Sequence, residues 1–149
     1  MISIIMCSSN ANSIRIDPAG MSQFDLECRR PVWEALSSLF LDTDTSLSRT
    51  WRVGILAASP YSIEELQQIL IDEVYPVCRS NLWQVAGEWL GFDAQWLESS
   101  ILRRLRSPSR RFFHALSLGR LTIPHSSEWR HTKDAIVRRR APDDAEGAA

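Results

Sequence analysis

His125, Glu128 and His131 recur at three-residue intervals and come closest in this chain to a metal-ligand set. On a helix, that spacing would place the donors along one flank. The stretch follows Pro124, however, and no second carboxylate stands in obvious reach to orient an imidazole, so no metal is expected there. Asp42, Asp44 and Ser46 imitate the first three oxygen ligands of an EF-hand loop. The sixth position is Leu47 instead of Gly and the twelfth is Val53 instead of a bidentate Glu, so the stretch reads as a solvated turn with capping side chains. Nucleophilic catalysis needs a Ser or Cys beside a base. No G-x-S-x-G, S-x-x-K or phosphate-cradling Gly loop occurs, and all three His follow residue 113. Cys78 with His114 is the one open pairing, and a buried, inert thiol is the commoner fate of such a cysteine. Glu64/Glu65 and Asp72/Glu73 are neighbours in sequence and so point to different helical azimuths, as a hydrated face would. The reading is therefore of a chain that is not an enzyme and carries no cofactor.

The remaining chemistry is charge and aromatic surface. Net charge is −1, but residues 1–99 hold six Arg against thirteen acids, whereas residues 100–149 hold eleven Lys and Arg against five. The first stretch is thus −7 and the second +6, an asymmetry that bears on partners and not on fold. All but one of the seventeen basic residues are Arg, whose planar fork suits carboxylate or phosphate. Phe112, Phe113 and Trp129 interleave with the basic stretch from Arg103 to Arg140, a mixture that can bind nucleic acid. The competing reading is a helix end plus a solvated tail folded onto the acidic half, which the overall pI near 6.3 favours. Of six Trp, Trp33, Trp51 and Trp89 stand on apolar faces and are expected in the core. Trp83 and Trp96 stand off such faces and are candidate interface anchors.

These residues must be positioned by helices. The chain has 149 residues, 44% of them hydrophobic and 23% charged, enough for one domain with its own core. The apolar runs fall far short of the roughly 20 residues of a membrane span. The start MISIIMCSSN lacks a signal peptide's basic and long apolar regions, and Met21 could serve as an alternative start. Three Cys at wide spacing give no disulfide framework, so a reducing cytoplasm is the expected location.

Residues 1–24 read as a loose leader. Pro31 marks the first turn of helix one, with Trp33, Leu36, Leu39 and Phe40 at helical spacing up to Leu41. Leu47, Trp51, Ile55 and Leu56 form the face of helix two, which stops before Ser59-Pro60. Ser62 and Glu65 make a capping box with Tyr61 and Leu66 as its staple, opening a helix that Pro76 ends. Ser80 or Asn81 caps a fourth helix closed by Gly91, and Asp93 caps a fifth with Leu97, Ile101 and Leu105 facing inward. A sixth helix spans about 108–118. Beyond Gly119 a mobile tail is expected, in which a short helix at Thr132 to Arg139 is allowed but has no need to pack. The fold class is all-α: a compact bundle of five or six short helices, with an acidic core over 25–106 and an Arg-rich C-terminal extension over 107–149.

Residues 36–44 (LSSLFLDTD), 59–77 (SPYSIEELQQILIDEVYPV) and 81–98 (NLWQVAGEWLGFDAQWLE) resemble a family of small bacterial proteins of unknown function. The likeness covers roughly residues 33–102, and the C-terminal extension departs from the shorter family pattern. The resemblance implies a stand-alone helical domain, in a family some of whose members are encoded near secreted toxins, and hence an immunity role. A small acidic module could occlude a cationic toxin, plausibly a nuclease, through Asp42, Asp44, Glu64, Glu65, Asp72 and Glu88 with Trp83 as anchor. The alternative is a nucleic-acid-associated regulator that sets Arg103, Arg104, Arg110, Arg111, Arg138, Arg139 and Arg140 on phosphates. On these readings a chain ending at residue 106 keeps toxin binding and loses nucleic-acid binding.

Overall fold

In a computed structural model, the described residues are 22–41, 48–81, 92–107 and 126–141, and the regular structure among them is helical. The first helix, α1 (Gln23–Ser37), begins eight residues before Pro31. Its start is a capping box that the sequence reading missed. Ser22 Oγ accepts from the Asp25 backbone N–H at 3.1 Å, and the Asp25 carboxylate accepts from the Ser22 N–H at 3.3 Å. Pro31 is therefore interior and removes one ladder bond. The helix tolerates it because Val32, Trp33, Ala35 and Leu36 are all buried around that turn. A single 3₁₀ turn, Ser38–Phe40, completes α1 and is wholly buried.

Helix α2 (Arg49–Ala58) ends at Ser59 as the Ser-Pro signal requires. The next rod starts at the expected capping box: Ser62 Oγ accepts from Glu65 N–H at 3.1 Å, and the Glu65 carboxylate accepts from Ser62 N–H at 2.7 Å. This rod does not stop at Pro76. It runs through α3 (Ile63–Ile69), a π turn (Leu70–Val74) and α4 (Tyr75–Asn81) without interruption. Pro76 has no N–H to continue an i→i−4 ladder. The wider turn, in which Tyr75 N–H reaches Leu70 C=O, carries the chain past that gap. Ser80 and Asn81, expected to cap a fourth helix, are instead the last two residues of α4; the rest of that helix, 82–91, and the one over 108–118 lie outside the described residues. Helix α5 (Ala94–Arg106) is capped by Asp93, whose carboxylate accepts from Trp96 N–H at 2.7 Å.

The C-terminal reading needs correction. Residues 126–140 are not a loose tail but a helix, α6 (Ser126–Arg140), whose contact with α2 is the most extensive between any two elements described. Trp129, Thr132 and Ile136 recur at i, i+3 and i+7 and are buried against the core. One core thus unites Leu26, Trp33, Leu36 and Phe40 of α1 and its 3₁₀ turn with Leu56, Leu66, Leu70, Leu97, Ile101 and Ile136. The 107–149 extension therefore supplies a wall of the same bundle.

Trp51, expected inside, is 39% exposed. The face that α2 buries is turned by one residue and carries Arg52, Val53 and Leu56. Cys28 is buried and disulfide-bonded. Cys78 is free and buried. No helix among the described residues is long and apolar enough to cross a membrane.

Candidate partner-binding surfaces

The acids of this bundle divide into those that Arg holds internally and those that face water. Glu128, placed by α6, accepts from Arg49 Nε at 2.8 Å and Arg49 Nη2 at 2.6 Å, and a third bond comes from Arg52 Nη2. Arg52 is entirely buried and also donates to Thr132 Oγ1 at 3.2 Å and Ser38 Oγ at 2.9 Å. Hydrogen bonding from Arg49 holds the Glu128 carboxyl below the usual carboxylate range, and the charges of Arg49 and Arg52 push the same way. Burial lowers the Arg52 guanidinium from its usual value, and the Glu128 charge offsets part of that. Glu128 is thus committed to α2 and not to a metal with His131.

Glu73, in the π turn, is buried where it accepts from Trp33 Nε1 at 2.6 Å and from Arg29 Nη1. Arg29 lies 5.3 Å from the centre of the Tyr61 ring, and burial pushes the Tyr61 hydroxyl's pKa up. On the α1–α5 flank, Arg30 forks onto Glu98 with two bonds of 2.9 Å. Glu73 is thereby withdrawn from the surface, whereas the Arg30–Glu98 pair lies on it.

Of the acidic stripe expected on the rod, Glu64 and Glu65 face water at the start of α3. Asp72 is half-buried two turns on, and its carboxylate accepts from Gln68 Nε2 at 3.5 Å. Glu64, Gln68 and Asp72 therefore share one azimuth. Glu65 has a second duty, since its carboxylate closes the cap. Asp42, Asp44, Trp83 and Glu88, the other four candidates for a partner surface, lie outside the described residues.

The Arg set proposed for phosphate is divided. Arg110 and Arg111 lie outside the described residues. Arg103 is exposed on α5, Arg104 is half-buried, and Arg138 and Arg139 are exposed on α6. Arg140 is spent within the fold: it donates to the carbonyls of Leu56 (2.7 Å), Ala57 (3.0 Å), Ser59 (3.1 Å) and Tyr61 (2.9 Å). These include the Leu56 and Ala57 carbonyls of the last turn of α2, where Leu56 C=O also accepts from the Ser59 N–H and hydroxyl. Sequence reasoning missed Arg140's capping role because its acceptors lie some eighty positions upstream. It also missed Arg52, for which a signal existed: a charged residue on the Val53/Leu56 face needs a buried counter-charge.

Cys78 is as inert as its bland reading supposed, since burial pushes its thiol up to about 12. Native protein at pH 8 is accordingly expected to leave Cys78 unmodified by iodoacetamide until denaturant is added, as read by peptide mass. Rapid native labelling would contradict the burial.

The fold and these surfaces define a small all-α domain with an ion-paired interior. The chain belongs to the family described as Domain of unknown function (DUF7079), which it matches over residues 27–135. The match begins in α1 and ends within α6, so it takes in the C-terminal wall and not the 33–102 stretch alone. No curated protein and no solved structure matches the chain.

Proposed function

We propose that this chain is a non-catalytic protein-binding module, an immunity protein that neutralises a cognate toxin by covering a cationic surface, such as that of a nuclease. The observation that carries the reading is the sorting of the acids. Glu73 and Glu128 are buried and held by Arg, while Glu64 and Glu65 are exposed at the start of a rod anchored by the buried Leu66, Ile69 and Leu70. A rigid acidic rod loses little freedom on docking and steers a basic partner toward itself. The resemblance to a family of small helical proteins, some of them encoded near secreted toxins, adds support. The reading also puts the protein in the cytoplasm, beside the target such a toxin would attack. The bond at Cys28 weighs the other way, because disulfides are rare in a reducing compartment.

The test begins with affinity capture of the tagged full chain from native lysate, nuclease treatment and mass spectrometry of what stays bound. Against the protein recovered, Glu64→Lys is the variant of choice, because Glu64 is exposed and not part of the cap. It is expected to slow association several-fold at low salt and far less at high salt, with the helical circular dichroism unchanged. Association equal to the parent's would remove the α3 stripe from the interface. Recovery of nucleic acid alone would retire the immunity reading.

A further inference from the structure

The exposed flank of α5 carries a second surface of opposite character. Trp96 is 37% exposed, and its ring stacks on Phe92 at a centroid distance of 5.9 Å and an interplanar angle of 15°. Arg103 follows seven residues later, two helical turns on, at nearly the same azimuth and about 10 Å along the axis. Ser99 lies between them and Arg106 one turn beyond, and Ser99, Arg103 and Arg106 are all exposed. The one other acid on this helix, Glu98, is turned away and neutralised by Arg30. Asp93 sits at the aromatic end, bound to the Trp96 N–H. Electrostatic attraction for an anion therefore grows toward the C-terminal turn, while the flat apolar platform lies at the N-terminal one.

We propose that this stripe binds single-stranded nucleic acid, with a base stacked on the Trp96/Phe92 pair and the following phosphates at Arg103 and Arg106. A near-parallel aromatic pair with an open edge extends most naturally by another flat ring. Base–aromatic stacking beside guanidinium groups is the usual grammar of sequence-tolerant single-strand sites. A duplex would keep its bases stacked away from Trp96, and an acidic peptide would use the guanidinium groups but have no ring for the platform. The surface lies on a different helix from the exposed Glu64 and Glu65 of α3: α5 packs on α1, the π turn and α4. The inference therefore does not rest on the immunity reading.

The experiment is fluorescence anisotropy of a short labelled oligothymidylate titrated with the full chain, with a polyglutamate of equal length as competitor. Trp96→Ala is expected to weaken binding roughly ten-fold. Arg103→Glu is expected to weaken it and to reduce the slope of log affinity against log salt by about 1 or more. Arg103 is on the solvent face, so its variant carries the decision if Trp96→Ala alters the helical circular dichroism. Absence of binding, affinity indifferent to Arg103→Glu, or polyglutamate competing as well as unlabelled oligothymidylate would each overturn the proposal. Failure here leaves the α3 stripe untouched, because the probe contains no protein partner.

Discussion

A chain ending at residue 125 is expected to lose its cooperative unfolding transition. The truncation removes α6 and with it Trp129, Thr132 and Ile136 from the core. Each large apolar side chain so lost withdraws about 1.5–3 kcal/mol of burial. The cut also uncovers Leu56 and Val53 on α2 and strips Arg52 of the carboxylate that neutralises it. Arg140 departs too, taking its bonds to the Leu56 and Ala57 carbonyls at the end of α2. Against a total stability of about 5–15 kcal/mol for a domain of this kind, the combined loss leaves no folded state of the native type. Urea denaturation followed by circular dichroism should then show a broad, non-cooperative change, and a hydrophobic dye should bind without denaturant. A truncated chain with the parent's midpoint and slope would mean that α6 is an accessory helix. A chain ending at residue 106 shares the defect, so it cannot separate toxin binding from nucleic-acid binding.

That error shows where sequence reading stops. Local signals were legible wherever the physics is local: the Ser62/Glu65 capping box, the Asp93 cap, the stop at Ser59-Pro60 and the inward face Leu97/Ile101 all stand as expected. The all-α class followed from these. Of the prolines read as boundaries, Pro31 and Pro76 turned out to be interior, for separate reasons. At Pro31 an earlier cap, Ser22 with Asp25, sets the start of the helix, and core burial outweighs one missing bond. At Pro76 the π turn absorbs the missing donor. A breaker states a local cost and not whether tertiary packing exceeds it. The misplacement of Trp51 has a different origin. Judged by hydropathy alone, Trp51 outranks Arg52 for the inside, but Arg52 meets Glu128 across seventy-six positions, and no window of the sequence contains both. For the candidate surfaces, Glu64 and Glu65 were readable as wet positions because solvation follows helical azimuth. The restriction on Glu65 was readable from the same capping box. The use of Arg140 as a helix cap was not, since its value depends on where α6 lies in space.

Glu128→Ala is expected to cost about 3–5 kcal/mol, the range seen when one member of a buried pair is removed and its counter-charge stays behind. Arg52 cannot escape by deprotonation, because guanidinium stays charged across the accessible pH range. Among the described residues it keeps the neutral acceptors Thr132, Ser38 and Ser48. For a chain of this size the loss corresponds to a fall in Tm on the order of 10 °C, measurable by calorimetry. The pH dependence follows from the direction of the Glu128 shift. Its folded pKa lies below its unfolded one, so the unfolded state binds more protons between the two. The stabilisation is fully present above the ordinary carboxylate value and is lost as pH falls through the depressed folded value. Glu128→Gln should therefore flatten the acid limb of the stability profile while leaving its shape near neutrality unchanged. The decisive variant is the double replacement Arg52→Met with Glu128→Leu. It removes both charges, restores apolar volume at the α2–α6 seam, and leaves Arg49, a third exposed, able to turn to water. Recovery to within about 1 kcal/mol of the parent is expected. Recovery would identify the cost of Glu128→Ala as stranded charge and not lost packing. A double variant as unstable as the single one would show that the pair, with Thr132 and Ser38, contributes net stability that apolar packing cannot replace.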